Sequence, residues 1–224
     1  MTTKTRSKFN FSELVLNWFD ESGRKDLPWQ INPSPYRVWI SEIMLQQTQV
    51  NTATPYYLRF MDSFPDIYSL SSASTDRVMH HWSGLGYYAR ARNLHKTSKI
   101  VQEEYNGMIP LDFDRLVELP GIGKSTAGAI LSLSDNQRHP ILDGNVKRVL
   151  ARFHAIEGWP GIKKIENKLW HFAEQHLPKK RMADYTQAMM DLGATICTRS
   201  KPNCMDCPLK KKCVAKHTNQ QDQF

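Results

Sequence analysis

Long apolar runs are missing from this 224-residue chain. None approaches the ~20 residues that a bilayer-spanning helix needs, and no secretory hydrophobic region opens it. A cytoplasmic protein that avoids membranes is therefore expected. Sustained period-two alternation is also missing, so no half-buried sheet is expected. There is no internal repeat and no low-complexity segment. Acid is in deficit, with 22 Asp and Glu against 30 Lys and Arg, for a net charge of +8. Such an excess speaks about partners rather than fold, and it favours nucleic acid. Cysteine is scarce: four residues, all between 197 and 213. A disulfide framework would be spread over a small secreted domain. Crowding into one stretch points instead to a metal or cluster site.

What is present reads as helix almost throughout. Phe11, Leu14, Val15, Trp18 and Phe19 fall at i, i+3, i+4, i+7 and i+8, an amphipathic stripe that Gly23 stops. The same reasoning predicts helices over 35–47, 51–63, 71–82, 86–106, 113–118, 124–134, 144–155, 163–175 and 182–192. Pro55 is tolerable if it sits in the first turn of its helix. Connections are short, as packed helices require. The fold class is all-α. Basic residues cluster at three places besides the N-terminal Lys4, Arg6 and Lys8, which read as a short solvated arm. They are Arg90, Arg92 and Lys96; Lys147, Arg148 and Arg152; and Arg199, Lys201, Lys210, Lys211, Lys212 and Lys216. Each lies near a motif, which favours a nucleic-acid surface.

Residues 119–145 organise the chain. Leu119-Pro120-Gly121-Ile122-Gly123 fits a type II turn: Pro120 pre-sets φ at the second position and Gly121 accepts positive φ at the third. Gly123, lacking a Cβ, lets a partner approach the backbone closely. Helical spacing on both sides makes the unit helix, glycine turn, helix. Free N–H groups at the second helix, with Lys124 beside them, suit a phosphate. An ordinary glycine-capped corner is the alternative that the local sequence leaves open.

Three further features carry chemistry. Cys197, Cys204, Cys207 and Cys213 are spaced C-x6-C-x2-C-x5-C. Four thiolates in one loop suit a tetrahedral zinc ion or an iron–sulfur cluster, and spacing alone leans to zinc. Glu42 sits among Ile40, Ile43, Met44 and Leu45. Its ordinary place would be in solvent; desolvated, its neutral form is favoured and serves as a general acid. Asp143, before Gly144-Asn145-Val146, reads as a helix N-cap and as a second carboxylate.

The segments LPGIGKSTAGAI at 119–130 and ILDGNVKRV at 141–149, with the cysteine spacing, resemble the DNA glycosylase superfamily that includes endonuclease III. SEIMLQQTQV at 41–50, RKDLPWQ at 24–30 and YTQAMM at 185–190 narrow the resemblance to adenine DNA glycosylases of the MutY type. It covers about residues 11–214. The resemblance implies two helical lobes: a six-helix barrel with a helix–hairpin–helix over 27–136, and a cluster lobe from 1–26 and 137–224. It implies a monomer that excises adenine mispaired with 8-oxoguanine or guanine in double-stranded DNA. Glu42 would protonate adenine, Asp143 would stabilise positive charge on the sugar, and Asn145 would orient the aspartate or a water. Arg24, Trp29 and Gln187 would line the base pocket, supplying stacking and edge hydrogen bonds. Gln46 and Gln47 would lie against the DNA, and Tyr87 in GLGYYARAR would wedge into the duplex. Leu119, Gly121, Gly123, Lys124 and Ser125 fall on the hairpin that grips the backbone. The resemblance also turns the cysteine site toward a 4Fe-4S cluster, with zinc as the alternative.

Beside these stand blander readings, with Trp29 as core packing and the Tyr87-Tyr88 pair as core. Ser125 departs from bifunctional members of the superfamily, which carry a lysine there to form a Schiff base. A serine hydroxyl cannot, so base removal without lyase chemistry is expected. An endonuclease III-like pyrimidine glycosylase/lyase and a non-catalytic DNA-binding module are the rival functions. MutY-type enzymes usually add a C-terminal domain resembling nucleotide pyrophosphohydrolases. This chain stops at Phe224, as a catalytic core or a naturally short member would.

Overall fold

The computed structural model describes residues 9–224, so the basic Lys4, Arg6 and Lys8 lie outside the described residues. Every regular element among the described residues is helical. No helix among them is long and apolar enough to cross a membrane. The chain divides into two compact units: one of the described residues up to Arg24 with Leu142–Phe224, the other of Lys25–Ile141.

The continuous unit is built on α2 (Pro35–Leu45), which packs against α8 (Lys124–Asp135) and against α3 (Val50–Ser63). Ser34 starts α2 by accepting a hydrogen bond from the Arg37 N–H at 3.3 Å, and Pro35 pre-sets the first turn. Trp39, Tyr57, Phe60, Phe64 and Trp82 are fully buried at the centre. Pro55 lies beyond the first turn of α3, so the exposed Asn51 carbonyl lacks its helical N–H partner. The 71–82 segment contains α5 (Thr75–Trp82), and a short α4 (Ile67–Ser71) precedes it. Asp66 caps α4 through the Ser69 N–H at 2.8 Å, and Ser74 caps α5. Five residues hold too little periodicity for α4 to show in the sequence. The basic helix α6 (Ala89–Glu104) begins later than its glycine-rich lead suggests. Gly86 and Tyr87 have φ of 77° and 50°, left-handed values that no helix accommodates. Then α7 (Phe113–Glu118), capped by Asp112, leads into the glycine turn and α8.

In the other unit α1 (Phe11–Ser22) packs along α11 (Met182–Asp191). Between them in sequence, α9 (Gly144–His154) contacts α10 (Lys163–Gln175), α11 and the short α12 (Val214–His217). A π-helical turn over Leu192–Ile196 ends α11 and delivers the chain to Cys197. Such wide turns recur at functional sites.

Candidate active site

The hairpin of the continuous unit has the geometry that its sequence dictates. The Ile122 N–H donates to the Leu119 carbonyl at 3.1 Å, and Gly121 has φ of 81°, which closes a type II turn. A Cβ at Gly121 would meet Asn93 Cβ at 2.9 Å, so both conformation and space require glycine there. Thr97 anchors the turn from α6 by donating to the Pro120 carbonyl at 2.8 Å. Leu119 and Ile122 are buried and hold the turn to the core. Gly123 is exposed and begins α8 without a side-chain cap, and a Cβ there would meet nothing within 4 Å. Lys124 is exposed and Ser125 half-buried in the first turn of α8. The first N–H groups of α8 thus face outward with a cation beside them, which suits an anion.

Glu42 lies on α2 and is half-buried, between the buried Ser41 and Ile43. Gln46 ends the helix, and Gln47 is exposed with φ of 57°. The helix end is held by a residue that sequence reading had assigned to a basic surface. Arg90 donates Nη1 to the carbonyls of Ile43, Met44 and Gln46 at 2.8, 2.9 and 2.6 Å. Its Nη2 reaches Thr48 Oγ1 at 3.3 Å and the Gly86 carbonyl at 3.2 Å. The arginine therefore couples the Gln46-Gln47 turn to the Gly84–Tyr88 loop. Burial lowers its pKa, opposed by Tyr87. Tyr87 is 60 % exposed, which removes it from the core, and Arg90 stacks on its ring at 5.4 Å. Trp29 differs: it is 6 % exposed and packs edge-on against Tyr57 within the core.

In the unit formed by both termini, Asp143 caps α9 by accepting from the Val146 N–H at 2.8 Å. Its other oxygen accepts from Asn145 Nδ2 at 3.4 Å. The carboxyl is half-buried, and desolvation raises its pKa. The Val146 N–H, the Arg148 charge and Asn145 each pull the other way. Arg148 donates to Asn145 Oδ1 at 2.8 Å, to the Gly193 carbonyl at 2.6 Å and to the Cys197 carbonyl at 2.7 Å. It bridges the cap to the cysteine loop. Gly193 permits this closeness, since a Cβ there would meet Asn145 Cβ at 2.5 Å.

Cys197, Cys204, Cys207 and Cys213 line one cavity with Val149, Phe153, Ile196, Pro202 and Leu209. Arg152, 2 % exposed, donates to Cys197 Sγ at 3.4 Å and to the carbonyls of Thr198 and Arg199 at 2.6 and 3.0 Å. Arg148 and Arg152 therefore brace this loop from within and are not part of an outward basic face. Burial raises the Cys204 and Cys213 thiols and pushes Cys207 up to about 12. Among the described residues, no group of three or more His, Cys, Asp and Glu side chains is placed to hold a single metal ion.

Arg24 and Gln187 share a partner that sequence reading missed. Asp191 accepts from the Arg24 N–H and guanidinium and from Gln187 Nε2. The Gln187 to Asp191 spacing of one helical turn was available as a signal, but Arg24 arrives from 167 residues away.

Residues 40–175 match the HhH-GPD superfamily base excision DNA repair protein family. An adenine DNA glycosylase of Buchnera aphidicola subsp. Acyrthosiphon pisum is 54% identical over 209 residues, covering 93% of this chain and 60% of its own. The human adenine DNA glycosylase is 40% identical over 223 residues, covering 96% of this chain and 41% of its own. The chain thus spans less than two thirds of these curated relatives. A thermostable thymine-DNA glycosylase structure superposes with a TM-score of 0.83 at 25% identity, over 93% of this chain and 95% of that one. A non-covalent endonuclease III–DNA complex shares the fold, with a TM-score of 0.77 at 20% identity over 94% of this chain and 95% of that one.

Proposed function

Because the chain belongs to the HhH-GPD superfamily of base excision DNA repair proteins, we propose that it is a monofunctional DNA glycosylase. Its substrate is adenine mispaired with 8-oxoguanine or guanine in double-stranded DNA. Asp143 carries this reading. A carboxylate that caps a helix with one oxygen and holds Asn145 with the other has a fixed direction. Breaking an N-glycosidic bond leaves its electron pair on the departing base and positive charge on the sugar. Glu42 supplies the proton that neutralises the base. Ionised Asp143 stabilises the sugar cation until water closes onto it, with Asn145 orienting the carboxylate or the water. Arg24 and Gln187 contact the base edge. Gln46, Gln47 and Tyr87 touch the duplex, and the Gly121–Ser125 turn seats a backbone phosphate. Ser125 supports release of the base without strand cleavage, having no amine for a Schiff base.

The four cysteines fit a 4Fe-4S cluster. They line one cavity and supply the four thiolates that such a cluster needs, a donor set that zinc would also take. Bound there, a cluster would be held by Cys197, Cys204, Cys207 and Cys213 and would cross-link their loop. Purified protein should carry about four irons and as many sulfides per chain; stoichiometric zinc instead would remove the cluster from this account.

Single-turnover reactions on duplexes with adenine opposite 8-oxoguanine, adenine opposite guanine, and thymine glycol opposite adenine test the activity. Strand breaks at both adenine duplexes only after hot alkali are expected. Breaks at thymine glycol without alkali would make the protein a pyrimidine lyase. Glu42→Gln and Asp143→Asn should each lower adenine release by at least ~100-fold while sparing DNA binding. Normal turnover in either would remove that residue from its role.

A further inference from the structure

Asp191 is fully buried at the end of α11, one turn after Gln187. A buried carboxylate is costly unless its lone pairs are used. Here they are. Oδ2 accepts from the Arg24 backbone N–H at 2.8 Å. Oδ1 accepts from Arg24 Nε at 3.0 Å, from Arg24 Nη2 at 2.7 Å and from Gln187 Nε2 at 2.8 Å. A carboxylate paired with a guanidinium only accepts. It therefore admits one of the two orientations of the Gln187 carboxamide, with Nε2 turned toward Asp191 and Oε1 turned away. Gln187 is 6 % exposed, yet its Oε1 is not among the buried polar atoms of the described residues that lack a partner. That oxygen is the atom left to meet a ligand.

We propose that Asp191 is a positioning residue for base selection. By fixing the carboxamide with its oxygen outward, it makes Gln187 an acceptor that takes a purine bearing a 6-amino group and rejects one bearing a 6-carbonyl. This rests on the reading above, in which Gln187 faces the extruded base. An acceptor opposite the amino group completes a hydrogen bond. Opposite a carbonyl it sets two acceptors against each other, and a polar site of this kind discriminates strongly. A glutamine free to turn over would accept either base. The buried carboxylate removes that freedom, and Arg24 supplies the charge that lets it stay buried.

The test uses the full chain and single-turnover release of adenine and of hypoxanthine, each opposite guanine. The ratio of the two rates is independent of how much protein is folded. Leucine at position 191 keeps about the same volume but accepts no hydrogen bond, so nothing holds the carboxamide in one orientation. Asp191→Leu should lower the adenine-to-hypoxanthine ratio by about 10- to 100-fold. Asp191→Glu, which still only accepts, should keep the ratio near that of the unaltered protein. Gln187→Leu, with nothing to orient, should lose the ratio, and adding Asp191→Leu to it should change nothing more. An unchanged ratio in Asp191→Leu overturns the proposal. Should that variant not fold, Gln187→Leu decides, since an unchanged ratio there overturns it equally. If the unaltered chain releases neither base while binding both duplexes, the glycosylase reading itself fails and takes this inference with it.

Discussion

Asp143 illustrates how one side chain is given two jobs. It caps α9 by accepting from the Val146 N–H, and in the proposed reaction it must also stay ionised as the partner of a sugar cation. Desolvation opposes the second job, raising its pKa, while the Val146 N–H, Arg148 and Asn145 restrain the rise. The sign of the consequence is fixed. With the folded pKa above the ordinary carboxylate value, activity that needs the ionised form disappears as pH falls through that raised value. The pH profile of the single-turnover rate should show an acid limb above the ordinary carboxylate range. Arg148→Met, which removes one of the lowering influences, should move that limb higher still. A limb in the ordinary range, or one that Arg148→Met leaves in place, would contradict this picture.

At the scale of elements, the hairpin between α7 and α8 separates folding from binding within three residues. Gly121 is needed by the chain itself, through its φ of 81° and its contact with Asn93. Gly123 is not, since a Cβ there meets open space. Gly121→Ala should therefore cost about 1–3 kcal/mol in thermal or denaturant unfolding. Gly123→Ala should unfold within about 0.5 kcal/mol of the unaltered protein. If the turn seats a phosphate as proposed, its affinity for duplex DNA should still fall several-fold, because a methyl then stands in the phosphate's way. Equal destabilisation by both substitutions would show that the turn is merely structural. The type II turn was legible because its rules act within four residues. The length of α6 was not, since its start depends on left-handed backbone at Gly86 and Tyr87. Nor was Arg90's role as the clasp of α2, because the carbonyls it holds lie 44 to 47 residues earlier.

At the scale of the whole molecule, the unit formed by both termini carries a built-in sensitivity to acid. His154 and His176 meet at 2.8 Å through their Nε2 atoms, stacked against Phe172 and Phe11. Burial lowers both to about 4, and for His154 the neighbouring His176 adds to the effect. The unfolded chain binds protons near the ordinary histidine value of 6.5, and the folded chain does not. Stability is then full above that value and falls as pH drops from about 6.5 toward about 4, with up to about two protons taken up on unfolding. Urea midpoints should decline through that window, as the unfolding free energy falls by at most about 2–3 kcal/mol per pH unit. A midpoint indifferent to pH there would show that the pair titrates normally.

The sequence by itself determined what local rules determine. It set the all-helical class, the turn at Pro120-Gly121, the cap at Asp143 and the gathering of four cysteines in one stretch, each specified by neighbours a few positions away. The tertiary structure decided where long side chains point. It turned Arg90, Arg148 and Arg152 inward onto carbonyls, sank Trp29 into a core, left Tyr87 exposed and joined Arg24 to Gln187 through Asp191. The reason is physical: an arginine or a glutamine is satisfied by whichever carbonyls and carboxylates the fold brings within about 3 Å, and those come from distant parts of the chain.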